Sequence, residues 1–408
     1  MVKVLHFADV HIGMENHGRT NPQTGLSSRV TDFLRRMDDM IDDARHREPD
    51  LVIFAGDAFK NRTPNPTFQR EFAWRILDLA ELCPVVLLVG NHDLPINTKK
   101  ASTIEIYETL RVPNVWVGRN NELHWIETKS GPIQVATIPY PIRARLLEDD
   151  IPQRTITDLD SLLQERLELI IRDLAKEAAQ HDTPRILTGH FSVMGAIRGS
   201  ERQVMLGRDI AITLGNLADP TWDYIALGHI HKHQNLTEGQ PELPPVVYSG
   251  SLERIDFGEE GDPKGYIWAE VERGHTEWEF VPVQARPFIT LRFDVCHEPN
   301  PTVLVLEGLQ SYDVHDAIVR VIVKTDPENN SLLSTHAIDK ALREAGVSYV
   351  ASIQRDVQQP ARMRLGPTPE GLSPGELLER YLESREVPGD RIKALVEAAQ
   401  KIFEGQQS

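Results

Sequence analysis

Five short aliphatic runs in this chain each break off into polar residues, and that pattern limits the fold more than any other feature. They are "KVLHFADVH" (3–11), "DLVIFAGDAF" (50–59), "VVLLVGNHD" (85–93), "RILTGHFS" (185–192) and "YIALGHIH" (224–231). Continuous apolar runs, as opposed to alternating ones, suit strands buried on both faces. Between them the spacing turns helical. Val30, Phe33, Leu34, Met37, Met40 and Ile41 form one stripe over 29–47, and Leu159, Leu162, Leu163, Leu167, Ile170, Ile171 and Leu174 another over 158–179. This alternation predicts a layered α/β domain. Ligands in such folds gather beyond the carboxyl ends of the strands, so five strand ends can share one site.

After "PPVVYSGSLERIDFGEE" (244–260), the segments "GYIWAEVE" and "TEWEFVPV" are expected to form a hairpin that closes this domain at 284. Residues 285–355 have the texture of a small α+β unit, with strands at 288–295, 317–324 and 347–355 and a helix near 335–345. "DVQQPARMRLGPTPEGL" (356–372) is rich in proline and glycine and reads as a linker. Two short helices are expected over 373–408. Ser373 and Glu376 spell a capping box with Pro374 at the first helical position. Leu377, Leu378, Tyr381 and Leu382 form one apolar stripe, and Ile392, Leu395, Val396, Ala399, Ile402 and Phe403 a second.

The five strand ends carry Asp9, His11, Asp57, Asn91, His190, His229 and His231. This mixture of carboxylate, carboxamide and imidazole suits two divalent transition ions, and seven donors exceed what one ion needs. The glycines of "AGD", "VGN", "TGH" and "LGH" let the backbone turn sharply and approach the site. No G-x-S-x-G elbow and no plausible catalytic cysteine is present, so a side-chain nucleophile is not expected. Two ions ~3.5 to 4 Å apart lower the pKa of water and clamp the oxygens of an in-line displacement at phosphorus, which points to phosphoester hydrolysis. His6, inside the first run, is expected as a core histidine, and His233 as a residue behind the ligands or at the surface.

Composition bears on partners and compartment. The 408 residues carry 61 acidic and 44 basic side chains, a net charge of −17. Such a chain repels a phosphate backbone unless bound cations, a basic groove or a basic partner compensates. Cys83 and Cys296 lie in unrelated contexts, which fits a reducing compartment; both are expected as buried small hydrophobes. No basic n-region with an apolar core follows Met1, and no run approaches ~18 apolar residues, so neither a signal peptide nor a membrane span is expected and the cytoplasm is the expected location.

The ordered series "DVH", "GDAF", "GNHD", "GHFS" and "GHIH" resembles the calcineurin-like metallophosphoesterase superfamily, and within it the SbcD-type nuclease subunits of double-strand-break repair complexes. "YSGSLERIDFGEE" (248–260), the small unit and the helical pair extend the resemblance over nearly the whole chain. It implies an α/β fold of two mixed β-sheets sandwiched with flanking helices, a small α+β capping or DNA-binding domain, and a C-terminal helical pair. It also implies that Asp9, His11 and His231 bind one metal, that Asn91, His190 and His229 bind the other, and that Asp57 bridges them, with manganese the usual ion. His92 is then the acid that protonates the leaving oxygen, with Asp93 orienting its ring. The implied activity is exo- and endonuclease cleavage of DNA ends and hairpins, by a homodimer bound to an SbcC-type ATPase subunit. The competing readings are a phosphatase or cyclic-nucleotide phosphodiesterase of the same superfamily, and a non-catalytic repair scaffold.

Four basic residues are candidates for DNA contacts. Lys60 follows "GDAF" where some relatives carry a histidine linked to exonuclease action; it reads as a phosphate contact or as an exposed loop lysine. Arg198 and Arg202 in "GAIRGSERQ" (195–203) read as backbone contacts or as part of a solvated turn. Arg254 and Asp256 in "LERIDFG" read as a buried ion pair or as a DNA-facing loop. The two C-terminal stripes either pack on their own domain or dock, as the resemblance implies, on the coiled-coil base of the ATPase subunit.

Overall fold

The computed structural model describes residues 1–95, 100–146, 156–199, 209–358, 373–383, 385 and 387–405; side chains at 144–145, 156–158 and 401–405 lie outside that description. The first aliphatic run becomes strand β1 (Val2–Phe7), followed by helix α1 (Ser28–Arg47), β2 (Leu51–Phe54), α2 (Pro66–Leu82), β3 (Val85–Leu88) and β4 (Val115–Gly118). The hairpin β5 (Glu122–Thr128) and β6 (Gly131–Ile138) leads to α3 (Ile156–Ala178), β7 (Arg185–His190), the short pair β8 (Ser192–Val193) and β9 (Ala211–Ile212), and β10 (Tyr224–Gly228). β11 (Gln234–Asn235), β12 (Val246–Tyr248), β13 (Gly265–Glu272) and β14 (His275–Pro282) complete this part.

These strands form two six-stranded mixed sheets. One has the order β14-β13-β1-β2-β3-β4, the other β11-β12-β10-β7-β6-β5. Each has four adjacent parallel strands; in the first sheet the antiparallel hairpin β13–β14 joins beside β1, and in the second an antiparallel strand lies at either edge. Side chains alternate between two buried environments, which is why the runs look uniformly apolar. Val2 and Val4 of β1, Leu51 and Ile53 of β2 and Val86 of β3 meet Ile133, Val135, Ile186, Ala226 and Val247 in a core between the sheets. Their neighbours Leu5, Phe7, Val52, Phe54, Val85 and Leu87 face the other way, onto Val30, Met37, Met40 and Ile41 of α1 and Phe72, Ile76 and Leu79 of α2. The second sheet is covered likewise by Leu163, Leu167 and Ile171 of α3.

The helix ends follow from local chemistry. Ser27 caps α1 by accepting from the Arg29 amide, Arg45, His46 and Arg47 occupy its last turn, and Glu48 ends it in a left-handed conformation. Asn65 caps α2, with Pro66 at the first position. Cys83, at the end of α2, is buried as expected, and burial pushes its thiol up to about 12. Cys296 departs from the expectation: it is only half-buried, in the turn after β15 (Phe288–Asp294), with its amide donating to Asp294.

β15, β16 (Ile318–Thr325) and β17 (Tyr349–Val357) form a three-stranded sheet in that order, accompanied by α4 (Pro301–Leu309) and α5 (Thr335–Glu344). Periodicity does not mark α4, because "PTVLVLEGL" is too short and too evenly apolar to show a helical repeat. Of the expected linker, Asp356 and Val357 belong to β17, and 359–372 lies outside the described residues. The helical pair is α6 (Pro374–Glu383) and α7 (Gly389–Gly405). Its capping box is made: the Ser373 amide donates to Glu376 at 2.7 Å, and the Glu376 amide donates back to the Ser373 hydroxyl at 3.3 Å. The chain divides into two compact units, residues 1–290 with 314–320 and 342–351, and residues 291–313 with 321–341 and 352–408. The first holds both six-stranded sheets, and the second holds α4, α6 and α7.

His6 is a core histidine. It is fully buried on the face of β1 that meets the other sheet, where its Nδ1 lies 3.0 Å from the Tyr224 hydroxyl of β10. Burial pushes its imidazole down to about 3, so it is neutral in the fold. Tyr224→Phe strips that ring of its partner and should lower stability by about 1–3 kcal/mol. An unchanged midpoint in denaturant unfolding would show that the bond contributes nothing.

Candidate metal centre

The parallel strands of both sheets end at one edge of the layered core. β1, β2 and β3 deliver Asp9, His11, Asp57, Asn91 and His92 from one sheet, and β7 and β10 deliver His190, His229 and His231 from the other. The loops are stitched together by backbone bonds from the Asp9 amide to the Gly56 carbonyl (3.0 Å) and from the His11 amide to the Asp57 carbonyl (3.1 Å). The His229 amide crosses between sheets to the Asp9 carboxylate, 3.0 Å from Oδ2. Asp9, His11, Asp57 and His229 all adopt positive φ, a left-handed conformation that persists in such residues only where surrounding structure enforces it. Gly56 (φ +100°) and Gly90 are required by space: a Cβ at Gly56 would stand 2.4 Å from His190 Nδ1, and one at Gly90 2.1 Å from Asp57 Oδ1.

All seven candidate ligands converge, and their donor atoms fall into two groups. In one, His11 Nε2 and His231 Nε2 are 3.0 Å apart, with Asp9 Oδ1 4.0 Å from His11 Nε2. In the other, Asn91 Oδ1 lies 3.0 Å from both His190 Nε2 and His229 Nδ1. Asp57 sits between them, with Oδ2 3.8 Å from His11 Nε2 and 3.4 Å from His190 Nε2. About 3 Å is the spacing of adjacent donors that each stand roughly 2.1 Å from one ion. Asp9–His11–His231, His11–Asp57–His92 and Asp9–Asp57–His190 are each close enough to hold a metal ion.

The charge balance also favours a cation. Burial pushes the Asp9 carboxyl up to about 6, against the pull of His231, His190 and His229. Burial acts the same way on Asp57, but the imidazoles of His190, His92 and His11 outweigh it and hold this carboxyl well below the usual range. For His190 burial works downward, and Asp57 overcomes it, lifting the imidazole to about 9. The metal-free centre at neutral pH therefore carries an Asp57–His190 ion pair. Donors of these types at these spacings fit divalent ions.

A family model described as calcineurin-like phosphoesterase matches residues 2–233, more than half of the chain. The chain belongs to that family. The phosphoesterase is also 25% identical over 297 residues to the SbcD subunit of nuclease SbcCD from Staphylococcus saprophyticus, covering 69% of each chain. Among solved structures it resembles TT1561 of Thermus thermophilus (13% identity, TM-score 0.36) and a dimetal phosphatase from Danio rerio (9% identity, TM-score 0.40). Each likeness covers 68% of this chain and 98% of the other, and both scores are too low to inform its fold or chemistry.

In this phosphoesterase His92 and Asp93 divide their work differently from the expectation. Asp93 does not orient the His92 ring. Its buried carboxylate accepts from the backbone amides of Gly90 (2.9 Å), Asp57 (3.0 Å) and Ala58 (3.1 Å), clamping two ligand loops together. The ring is held instead by the Lys60 carbonyl, 2.7 Å from His92 Nδ1. A carbonyl only accepts, so Nδ1 carries the proton and Nε2 is the nitrogen left for exchange. The His92 amide donates to Asp57 Oδ1 at 2.8 Å, and its ring stands edge-on to His11 at 4.9 Å.

Arg254 is neither part of an ion pair with Asp256 nor extended to a ligand. Four of its guanidinium N–H groups donate to the carbonyls of Glu259, Asp262, Ala285 and Arg286, all outside the strands. Asp256 instead caps the turn at Gly258. Arg198 lies near the centre, 3.8 Å from Asp209 Oδ2, while Arg202 lies outside the described residues. His233 is half-buried, bonded to the Tyr248 carbonyl and stacked on Phe280. On the C-terminal helices Leu377, Leu378, Leu382 and Val396 are half-buried, Ile392 is buried, Tyr381 and Leu395 are exposed, and the side chains of Ile402 and Phe403 lie outside the described residues.

Three contributors carry no sequence signal. Asp209 Oδ2 lies 3.1 Å from His229 Nε2, Tyr140 packs 5.7 Å from the His229 ring, and the Ala55 carbonyl lies 2.7 Å from His190 Nδ1. A fourth, Glu259, stands within "YSGSLERIDFGEE" and is fully buried 2.9 Å from His231 Nδ1.

An ion held at His190 Nε2 would displace the proton that Asp57 keeps there. Affinity for a divalent ion should therefore rise with pH, by up to about tenfold per unit for one proton released, and level off near the imidazole's value of about 9. Calorimetric titrations in buffers of different ionisation enthalpy would count that proton. Binding that is flat between about pH 6 and 9 would contradict the assignment of His190 as the displaced group.

Proposed function

We propose that this phosphoesterase is the nuclease subunit of an SbcC/SbcD-type repair complex, a manganese-dependent exo- and endonuclease acting on DNA ends and hairpins in the cytoplasm. The observation that supports the reading is the likeness to the SbcD subunit, which covers 69% of this chain and so more of it than the stretch 2–233 matched by the phosphoesterase family. Among the described residues no helix is long and apolar enough to cross a membrane. In this reading residues 1–284 form the nuclease domain, 285–355 a capping and DNA-binding domain, 356–372 a linker and 373–408 the docking helices.

Asp9, His11 and His231 would hold one ion, Asn91, His190 and His229 the other, and Asp57 both. When bound, such ions supply Lewis-acid polarisation of the phosphoryl oxygens and a water of lowered pKa. The protein's own part is to hold the diester in line and to deliver a proton. His92 does the latter: with Nδ1–H fixed on the Lys60 carbonyl, its Nε2 gives a proton to the leaving oxygen. Arg198 supports the strand backbone beside the centre, and Lys60 is a second cation on the same rim. With a net charge of −17, the approach of DNA depends on positive charge supplied by bound ions, by such local cations or by a basic partner.

Two surfaces support the assembly. Leu77 of α2, Ile106 and Leu110 are exposed around a groove of about 280 Å³ that Phe59, Tyr107 and Val112 also line, which suits a second copy of the chain. Tyr381 and Leu395 leave apolar surface open on the helical pair, which suits docking on the ATPase subunit.

Purified protein with manganese should cleave linear duplex DNA and a simple phosphodiester in preference to a phosphomonoester; the reverse preference would sink the nuclease reading. His92→Ala should cut the rate by about 10²- to 10⁴-fold with metal still bound. Metal loss in that variant would mean that His92 is a ligand. Tyr381→Asp combined with Leu395→Asp should weaken binding to the ATPase subunit at least about tenfold and leave hydrolysis of a small diester intact. Unchanged binding would remove the docking proposal.

A further inference from the structure

Behind His231 lies a buried ion pair that neither the ligand set nor the proposed proton transfer uses. Glu259 stands at the end of a single helical turn (Phe257–Glu259), and Lys264 leads into β13; both are almost completely buried. The Glu259 carboxylate is fully engaged. Oε1 accepts from His231 Nδ1 at 2.9 Å, and Oε2 accepts from Lys264 Nζ at 2.8 Å and from the Ile255 amide at 3.0 Å. Lys264 uses all three of its N–H groups, on Glu259, on the Ser251 hydroxyl (2.9 Å) and on the His231 carbonyl (3.1 Å). His231 is thus gripped twice, by its ring through Glu259 and by its backbone through Lys264. The Ser251 amide also donates to the His231 carbonyl at 3.2 Å.

We infer that Glu259 and Lys264 form a positioning pair that fixes the tautomer and orientation of His231, and so sets the metal affinity of the Asp9–His11–His231 group separately from that of the Asn91–His190–His229 group. The inference rests on the reading of those residues as ligands. With Nδ1–H committed to a carboxylate, Nε2 is the lone-pair nitrogen, and it is Nε2 that meets His11 Nε2 at 3.0 Å. A carboxylate behind the ring also makes the imidazole a stronger base toward a cation. Lys264 pins the far oxygen, so that the carboxylate cannot swing forward and become a ligand itself. A buried ion pair is a poor device for stability alone, since an apolar pair of similar volume usually holds a core as well. Its cost is explained by the precision it gives to one ligand. The motif "YSGSLERIDFGEE" with the lysine after it is then the cradle of His231, and Arg254 braces that cradle through the Glu259 carbonyl.

The test uses the double variant Glu259→Gln with Lys264→Met, which removes both charges at similar volume. Manganese(II) is the probe, followed by calorimetry and by electron paramagnetic resonance, with thermal melting as the check on folding. The wild-type protein should bind two ions per chain and show an exchange-coupled pair. The double variant should melt near the wild type and lose about 10- to 100-fold affinity in one binding step only. At one ion per chain it should then give the spectrum of an isolated ion. Glu259→Asp, which keeps the charge but withdraws it by one methylene, should show the same single-step loss. A folded variant with both steps unchanged would overturn the inference, and so would an equal loss in both steps. Failure of the wild-type protein to bind two ions would overturn the ligand reading beneath it, which distinguishes the two failures.

Discussion

Asp57 lies where the two sheets converge, and its carboxylate is the point to which the other parts of the centre are referred. Oδ1 receives the His92 amide, Oδ2 lies between His190 and His11, and the Asp57 amide is held by Asp93. A buried carboxylate in that position is stable only with positive charge around it, which in the metal-free protein comes from His190. The rigid parallel strands make such an arrangement possible. They bring five loops to one edge with backbone bonds between them, so that left-handed residues and close glycine contacts are enforced by the frame.

Neutral and charged donor groups are distributed with the same economy. Asn91 contributes an oxygen where a further carboxylate would add charge beside Asp9 and Asp57, and the two flanking histidines meet it at equal distance. Outside this layer, carboxylates return as hydrogen-bond partners: Asp209 for His229 and Glu259 for His231. Burial would lift both carboxyls, but contacts with the histidines outweigh it and hold both below the usual range, with Ser192 and Arg198 adding to this at Asp209 and Lys264 at Glu259. They remain negative behind their rings, which is the state in which a carboxylate orients an imidazole.

Much of the fold was legible from periodicity. The strand ends, the stripe of α1 and the capping box of Ser373 and Glu376 each rest on short-range rules, and each is present. The helix α4 was not legible, because nine mostly apolar residues satisfy strand and helix patterns alike. Asp93 and Arg254 show the other limit. The sequence offers Asp93 as the brace of His92 and Arg254 as half of an ion pair or part of a DNA-facing loop, yet both spend their polar atoms on the backbone of neighbouring loops. Irregular chain must satisfy its amides and carbonyls somewhere, and which side chain does so depends on contacts distant in sequence.

By itself the sequence determined the class of layered fold, the family and the donor types gathered at five strand ends, because residue chemistry and local period carry that information directly. The tertiary structure alone decided how each imidazole is held. His92 is set by the Lys60 carbonyl, His190 by that of Ala55, His229 by Asp209 and His231 by Glu259 with Lys264 behind it. A main-chain carbonyl has no residue signature, and an acid in a polar loop reads as solvated until the fold buries it against its partner. The donor groups are a property of composition and spacing; their orientation is a property of packing.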